Sequence, residues 1–181
     1  ARGVLQCPCV TTLICETDRL RLRHLVAATD APFILGLLNE PSFIQNIADR
    51  GVRTVEDAAR YIEEGPRASY ALHGFGLFMV ELKDGAVPIG MCGLLKREWL
   101  ADVDVGFAFV PQYWSKGYAY ESAAGVMAWG GETRGLKRIV AITAPHNQGS
   151  ARVLEKLGMK FARLVHSPEG QESRLFTPEG I

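Results

Sequence analysis

Alternating or short continuous apolar stretches predict seven β-strands along the chain. The dipeptide Asp84-Gly85 separates two of these stretches and is typical of the turn in a β-hairpin. Pro111 ends another stretch, because proline cannot donate a hydrogen bond within a sheet. The predicted strands span residues 20–25, 77–82, 87–94, 102–110, 139–144, 161–165 and 174–177.

Apolar residues at helical spacing predict four helices between these strands. Thr54 and Asp57 form a capping-box pattern at the start of the second helix, and Asn147 is a candidate N-cap for the fourth. The helix that opens at Asp30 is predicted to stop at Pro41. The later breaks are predicted at Gly65-Pro66, Gly130-Gly131 and Gly158.

The order of these elements indicates the fold class. Strands and helices follow one another as strand, helices, a run of strands, then strand–helix–strand–helix–strand. This order predicts an α/β (α+β) domain with a mostly antiparallel sheet and one parallel crossover near its end. The chain has 181 residues, of which 48% are hydrophobic, enough for one core. We assign residues 13–181 to a single domain and residues 1–12 to an N-terminal extension.

Charge and cysteine usage exclude several classes of protein. Lys+Arg and Asp+Glu both number 20, so the basic excess typical of nucleic-acid binders is missing. No apolar run approaches the roughly 20 residues that cross a bilayer, and the first ten residues lack the features of a secretory signal. Neither the cysteines nor the histidines have metal-ligand spacing. We therefore expect a cytoplasmic protein without a metal, whose thiols are reduced. The four cysteines are Cys7, Cys9, Cys15 and Cys92.

The stretch from Val105 to Glu121 carries the main candidate chemistry. A strand ends at Pro111, a short loop follows, and a helix begins near Gly117. A helix N-terminus presents unpaired N–H groups that bind phosphate, and glycine lets the backbone approach a ligand closely. Neither a P-loop nor a Rossmann glycine pattern occurs. Because a single glycine loop is weak evidence, a plain strand–loop–helix corner and a nucleotide-binding domain remain alternative interpretations of this segment.

Two downstream features favour an anionic small molecule. Seven basic residues and a single acid, Glu155, lie between Thr133 and Arg163, which predicts a local positive field on a neutral protein. Asn147 and Ser150 follow a predicted strand, where they are placed to cap a helix, to bind a ligand, or both.

Three segments resemble the GCN5-related N-acetyltransferases, and most closely the branch of the ribosomal-protein N-terminal acetyltransferases. Trp114-Ser-Lys-Gly-Tyr-Ala119 is similar to the family's Gln/Arg-x-x-Gly-x-Gly/Ala loop, with Trp first and Glu121 following as in that branch. The segment 147–159 resembles the branch's Asn-x-x-Ser-x-x-apolar-x-x-Lys-x-Gly-Phe pattern. Residues 16–23 resemble its first strand. The resemblance covers about residues 14–178.

The resemblance implies a sheet flanked by helices and splayed between the fourth and fifth predicted strands. It implies acetyl-CoA as cosubstrate, with CoA as product, and pantetheine lying in the gap. The diphosphate is expected on the backbone amides of the loop, and Asn147 and Ser150 are expected to face the pantetheine arm and sulfur. The cofactor-binding residues that it implies are Phe107, Phe109, Val110, Trp114, Ser115, Lys116, Gly117, Tyr118, Ala119, Asn147 and Ser150.

Acetyl transfer to a primary amine needs a base for the amine and a proton for the leaving thiolate. Asp104 is the first candidate base, and Glu98 and Asp102 are the next candidates. Strand alternation alone also explains a polar residue at position 104, as a solvent-facing strand residue. Many family members have a tyrosine acid where this chain has Leu154, so Ser150 or water is the candidate acid.

The acceptor is predicted to be a protein N-terminus or a small amine, with aromatic residues of the first half as its candidate pocket. These are Phe43, Tyr61, Tyr70 and Phe75. A non-catalytic acyl-CoA-binding module is the alternative function. We expect no membrane or nucleic-acid partner, and a homodimer is compatible with the sequence.

Overall fold

The computed structural model describes residues 11–179. The predictions for residues 1–10, including those for Cys7 and Cys9, lie outside the described residues. Within them, eight strands form one mixed sheet in the order β1-β2-β3-β4-β5-β6-β8-β7. The strands are β1 (Leu13–Glu16), β2 (Leu20–Arg23), β3 (Leu77–Leu82), β4 (Val87–Leu95), β5 (Val103–Phe109), β6 (Ile139–Thr143), β7 (Lys160–His166) and β8 (Glu172–Thr177).

The sheet is antiparallel except where β5 meets β6. There, Val103 pairs with Ile139 and Asp104 pairs with Val140. Beyond these two pairs β5 has no registered partner in β6, although it stays paired with β4 as far as Phe109. The two strands therefore diverge towards their C-terminal ends. This confirms the predicted mixed, splayed sheet. The fourth and fifth predicted strands correspond to β5 and β6 in the structure, because the sequence pattern does not predict β1 as a separate strand.

Helices cover both faces of the sheet. One apolar cluster joins the sheet to α1 and α3, and a second joins the opposite face to α5 and α6. Phe78 and Phe176 are the largest fully buried side chains of the second cluster. The helices are α1 (Ala27–Leu38), α2 (Pro41–Asn46), α3 (Val55–Ile62), α4 (Ala68–His73), α5 (Tyr118–Arg134) and α6 (Gln148–Lys156).

The predicted start and stop of the first helix need correction. The helix begins at Ala27, because the Asp30 carboxylate accepts a hydrogen bond from the Val26 N–H at 2.7 Å and supports the turn before it. Pro41 does not only stop α1. It is the first residue of α2, a position where the missing N–H of proline costs nothing.

Two predicted helix breaks are continuous in the structure. After α3, the chain passes through Gly65-Pro66 in a π-helical turn, Glu63–Arg67, and then into α4. Helix α5 continues through Gly130-Gly131 and ends at Gly135, which has a φ of 67°. A Cβ on Gly130 would lie 2.7 Å from the Leu94 side chain, so this glycine serves close packing of the helix on β4.

Two locally encoded features, a helix cap and a hairpin, agree with the sequence predictions. The Thr54–Asp57 capping box forms at the start of α3, and β3 and β4 pair as the predicted hairpin.

Cys15 and Cys92 are free thiols. Among residues 11–179, no group of His, Cys, Asp and Glu is arranged to hold a metal. In the same part of the chain, no helix has both the length and the apolarity to cross a membrane.

Candidate functional site

The divergence of β5 and β6 opens into a groove of about 1580 Å³. The C-terminal half of β5 forms one wall, and the start of α5 with the corner between β6 and α6 forms a second. The helical segment from α2 to α4 encloses the remaining end. Of the predicted cofactor contacts, all except Val110 and Lys116 line this groove. The fold therefore gathers residues from distant parts of the sequence around one cavity.

The backbone of β5 presents hydrogen-bonding groups to the gap. The Val110 N–H donates to the Ile89 carbonyl at 3.0 Å, so the backbone of Val110 points towards β4. Backbone groups alternate in direction along a strand, and those of Phe107 and Phe109 therefore point towards the gap. The Phe109 carbonyl accepts a hydrogen bond from the Trp114 indole at 2.8 Å. Val110 is a correction to the predicted contacts, since its N–H is already paired away from the gap.

The loop before α5 places backbone amides along the groove. Ser115 and Gly117 have φ angles of 59° and 84°, which turn the chain sharply. No side chain of the described residues caps the start of α5. Between residues 11 and 179, no hydrogen bond starts from the N–H groups of the stretch from Ser115 to Ala119. Unpaired amides in such a turn, at the positive end of a 17-residue helix, form an anion-binding surface.

An anchor that the sequence analysis did not find fixes this loop against the start of the sheet. Glu121, in the first turn of α5, accepts hydrogen bonds from the Thr17 hydroxyl at 2.6 Å and from the Arg19 backbone N–H at 2.8 Å. It also forms an ion pair with Arg19 at 2.7 Å, and the Arg19 guanidinium lies 4.4 Å from the centre of the Tyr118 ring. Burial raises the pKa of Glu121, but these hydrogen bonds outweigh burial and hold the pKa below its usual value.

The corner between β6 and α6 orients a serine hydroxyl towards the groove. The Asn147 side chain accepts from the Ser150 N–H at 3.1 Å, which confirms the predicted helix cap. Its amide nitrogen donates to the Ser150 hydroxyl oxygen at 2.9 Å. The hydroxyl of Ser150 therefore keeps its own hydrogen for donation to another group. Leu154, on the same helix, is buried with 1% exposure.

The candidate bases are in different environments. Asp104 lines the groove and is only 1% exposed, and its Oδ1 accepts from Arg97 Nε at 2.9 Å. Burial raises its pKa, while the charge and hydrogen bond of Arg97 lower it. Glu98 is exposed and is not part of the groove lining. Asp102 also lies outside the groove, where it forms an ion pair with Arg138 at 3.0 Å.

The helical wall of the groove is only partly predictable from the sequence. Phe43 and Tyr61 line the groove. Tyr70 does not, because its ring stacks on His24 with centroids 4.0 Å apart inside the core. Phe75 is also a core residue. Of the basic residues between Thr133 and Arg163, Arg152 and Lys156 line the groove, and the others do not.

Two hydrogen bonds connect the end of α2 with the opposite side of the groove. Asn46 Oδ1 lies 3.1 Å from His146 Nε2, and Gln171 donates to the Ile47 carbonyl at 3.2 Å. The partners are 100 and 124 residues apart in the sequence. Such pairs carry no signal that local sequence reasoning could detect.

The chain belongs to the GNAT acetyltransferase family. Residues 19–160 match the family model described as an acetyltransferase (GNAT) domain. The sequence is 32% identical over 137 residues to the uncharacterized N-acetyltransferase YnaD of Bacillus subtilis (strain 168), covering 72% of this chain and 75% of YnaD.

Solved structures share the fold. An acetyltransferase from Agrobacterium tumefaciens str. C58 superposes with a TM-score of 0.76 at 23% identity, and 98% of each chain is covered. RimL, a ribosomal L7/L12 alpha-N-protein acetyltransferase solved in complex with coenzyme A, has a TM-score of 0.78 at 14% identity. That match covers 91% of this chain and 96% of RimL.

Proposed function

We propose that the chain transfers an acetyl group from acetyl-CoA to a primary amine, which attacks the thioester directly. The acceptor is a protein N-terminal α-amine or a small-molecule amine. The observation that carries this proposal is the continuity of one groove. It joins the gap beside β5, the unpaired amides before α5, and the Asn147–Ser150 corner. Family membership and the coenzyme A held by RimL support the same cosubstrate.

Each part of the groove suits a different part of acetyl-CoA. The amides between Ser115 and Ala119 suit the diphosphate, because they are unpaired among the described residues and lie at a helix N-terminus. The backbone groups of Phe107 and the N–H of Phe109 suit the amides of pantetheine, which can hydrogen-bond to the exposed side of β5. We assign the polarisation of the thioester carbonyl to a backbone N–H of this strand.

Two side chains are assigned to the proton transfers. Asp104 accepts a proton from the protonated amine, directly or through water, so that the neutral nitrogen can attack the carbonyl carbon. A second proton leaves the nitrogen for solvent as the amide forms, and Asp104 later releases its own proton to solvent. The carbon–sulfur bond then breaks, and the Ser150 hydroxyl donates its hydrogen to the departing thiolate and is reprotonated from solvent. No tyrosine occupies α6 for this second step, since its residues are QGSARVLEK.

Binding and turnover measurements test the proposal together. Calorimetry with acetyl-CoA and thiol release with a panel of amines and N-terminal peptides are measured on the same sample, and mass spectrometry identifies the product. Saturable binding with thiol release and an acetylated amine supports the proposal. Tight binding without turnover of any amine favours the acyl-CoA-binding module. Protection against heat by ATP but not by CoA favours a nucleotide site.

Replacing Ser150 with alanine is expected to lower turnover more than cofactor affinity. The Asn147 cap survives in Ser150→Ala, because it is formed with the backbone N–H of residue 150. We expect kcat to fall about 100-fold, the lower end of the range for loss of a general acid because water can substitute, with less than about a twofold change in acetyl-CoA Kd. Stopped-flow thiol release and calorimetry measure the two effects. Unchanged turnover would remove Ser150 from the mechanism.

A further inference from the structure

Arg97 and Asp104 form a largely buried ion pair at the edge of the groove. Their Nε and Oδ1 atoms are 2.9 Å apart, and the side chains are 31% and 1% exposed. Both residues line the groove. On β5, Ala108 packs against the cluster beneath α1 and α3. Asp104 lies an even number of residues away, so its side chain projects from the same face of the strand. The pair therefore lies on the side of the sheet that carries the helical wall.

The loop between β4 and β5 holds Arg97 in place. The Lys96 ammonium donates to the carbonyls of Leu100 and Ala101, at 3.0 Å each, and links the two ends of the loop. Arg97 is thus presented by an ordered turn rather than by a free side chain on an open loop. Its partner Asp104 sits opposite Leu95 in the sheet, which brings the two ends of the loop together.

Arg97 is the principal charged neighbour of Asp104. Strand β6, on the other side of Asp104, contains no charged residue, and Arg138 just before it is paired with Asp102 and Glu179. Lys96 bonds to backbone carbonyls. The other ionisable groups that line the groove near its helical wall and its opposite corner are Arg50, Tyr61, Glu64, His73, His146, Arg152, Lys156 and Glu169.

We propose that Arg97 is a positioning residue for acetyl transfer, one that keeps Asp104 ionised and fixes the orientation of its carboxylate towards the amine. The proposal rests on the proposed function, in which Asp104 takes the proton from the acceptor. A buried carboxylate without a partner favours its neutral form, which cannot accept that proton. Burial already raises the pKa of Asp104, and Arg97 is the side chain that opposes this effect.

The decisive measurement is the pH dependence of kcat/KM for Arg97→Gln and Arg97→Lys. Removal of the charge raises the pKa of Asp104 further, because burial then acts on it unopposed by that charge. We expect the acidic limb of the profile in Arg97→Gln to move up by at least about one pH unit. At pH values on that limb, kcat/KM of Arg97→Gln is then about tenfold or more below that of the wild type, and it recovers at high pH. Arg97→Lys keeps the charge and should fold even where Arg97→Gln does not, with a smaller shift in the same direction.

Arg138→Gln is the matched control. It breaks another Arg–Asp ion pair, at 3.0 Å and just before β5, but outside the groove, and it should leave the acidic limb unmoved. An equal loss of kcat/KM at every pH in both Arg97 variants would assign Arg97 a purely structural role and overturn the inference alone. Absence of turnover by the wild-type protein with every amine, despite acetyl-CoA binding, would overturn the proposed function together with the inference.

Discussion

Gly117→Val is expected to weaken the binding of acetyl-CoA about a hundredfold while the fold persists. Gly117 has a φ of 84°, a conformation that β-branched residues strongly disfavour. An added Cβ would also lie 3.2 Å from the Arg19 guanidinium. The loop must therefore rearrange and turn its amides away from the groove. Loss of two charge-assisted hydrogen bonds to a diphosphate, about 1.5 kcal/mol each, corresponds to about a hundredfold increase in Kd.

Gly158→Val separates this effect from the general cost of the backbone conformation. Gly158 has a φ of 85°, and a Cβ added there would meet open space among the described residues. It follows α6 and lies outside the groove lining. Both variants should lose thermal stability, which differential scanning calorimetry measures. Only Gly117→Val should lose affinity for acetyl-CoA. Equal affinities in Gly117→Val and the wild type would show that the amides before α5 do not hold the diphosphate.

Local signals explain which elements the sequence predicts correctly. The hairpin turn at Asp84-Gly85 and the caps at Thr54 and Asn147 depend on residues within a few positions of one another. The loop before α5 belongs to the same group, since its glycine, its short length and its place between a strand and a helix are all visible in the sequence. The end of the candidate site that we propose for the diphosphate is therefore accessible to sequence analysis.

Tertiary packing explains the errors. The sequence pattern predicts a helix break at Gly130-Gly131, yet close contact with Leu94 makes Gly130 part of a continuous helix. The alternation of β5 leaves Asp104 open to a solvent-facing interpretation, yet the residue is buried, and its side chain lies on the face of the sheet that carries α1 and α3. No pattern along the chain indicates which face of a strand receives helices from so much earlier in the sequence.

The helical wall of the groove, where the sequence analysis expects the acceptor pocket, is the least predictable part. This wall contains a π-helical turn through Gly65-Pro66, where the sequence predicts only a helix break. The hydrogen-bond partners of the Asn46 side chain and the Ile47 carbonyl lie in the last third of the chain. Arg97 belongs to no sequence motif, and its proposed role depends on Asp104, its partner at the other end of the β4–β5 loop. The shape of this wall thus depends on contacts that only the folded chain creates.

Asp104→Asn is expected to lower kcat/KM for the amine about 10²- to 10⁴-fold, the range for loss of a general base. The substitution keeps the shape of the side chain but removes its ability to accept a proton. The acidic limb assigned to Asp104 should disappear from the pH profile, and the Kd for acetyl-CoA should change by less than about twofold. Glu98→Gln is the control, because Glu98 is exposed and lies outside the groove lining. A wild-type profile in Asp104→Asn would exclude this carboxylate as the base.

The size of the Asp104→Asn effect should also depend on the acceptor. Making a lysine side chain neutral at pH 7 costs about 4.6 kcal/mol, whereas an α-amine costs only about 1 kcal/mol. A base therefore contributes far more to the acetylation of a lysine-like amine than to that of a protein N-terminus. Thiol release by Asp104→Asn, compared between an N-terminal peptide and an alkylamine of high pKa, should show the larger loss for the alkylamine. Equal losses for both would indicate that Asp104 orients the acceptor and does not take its proton.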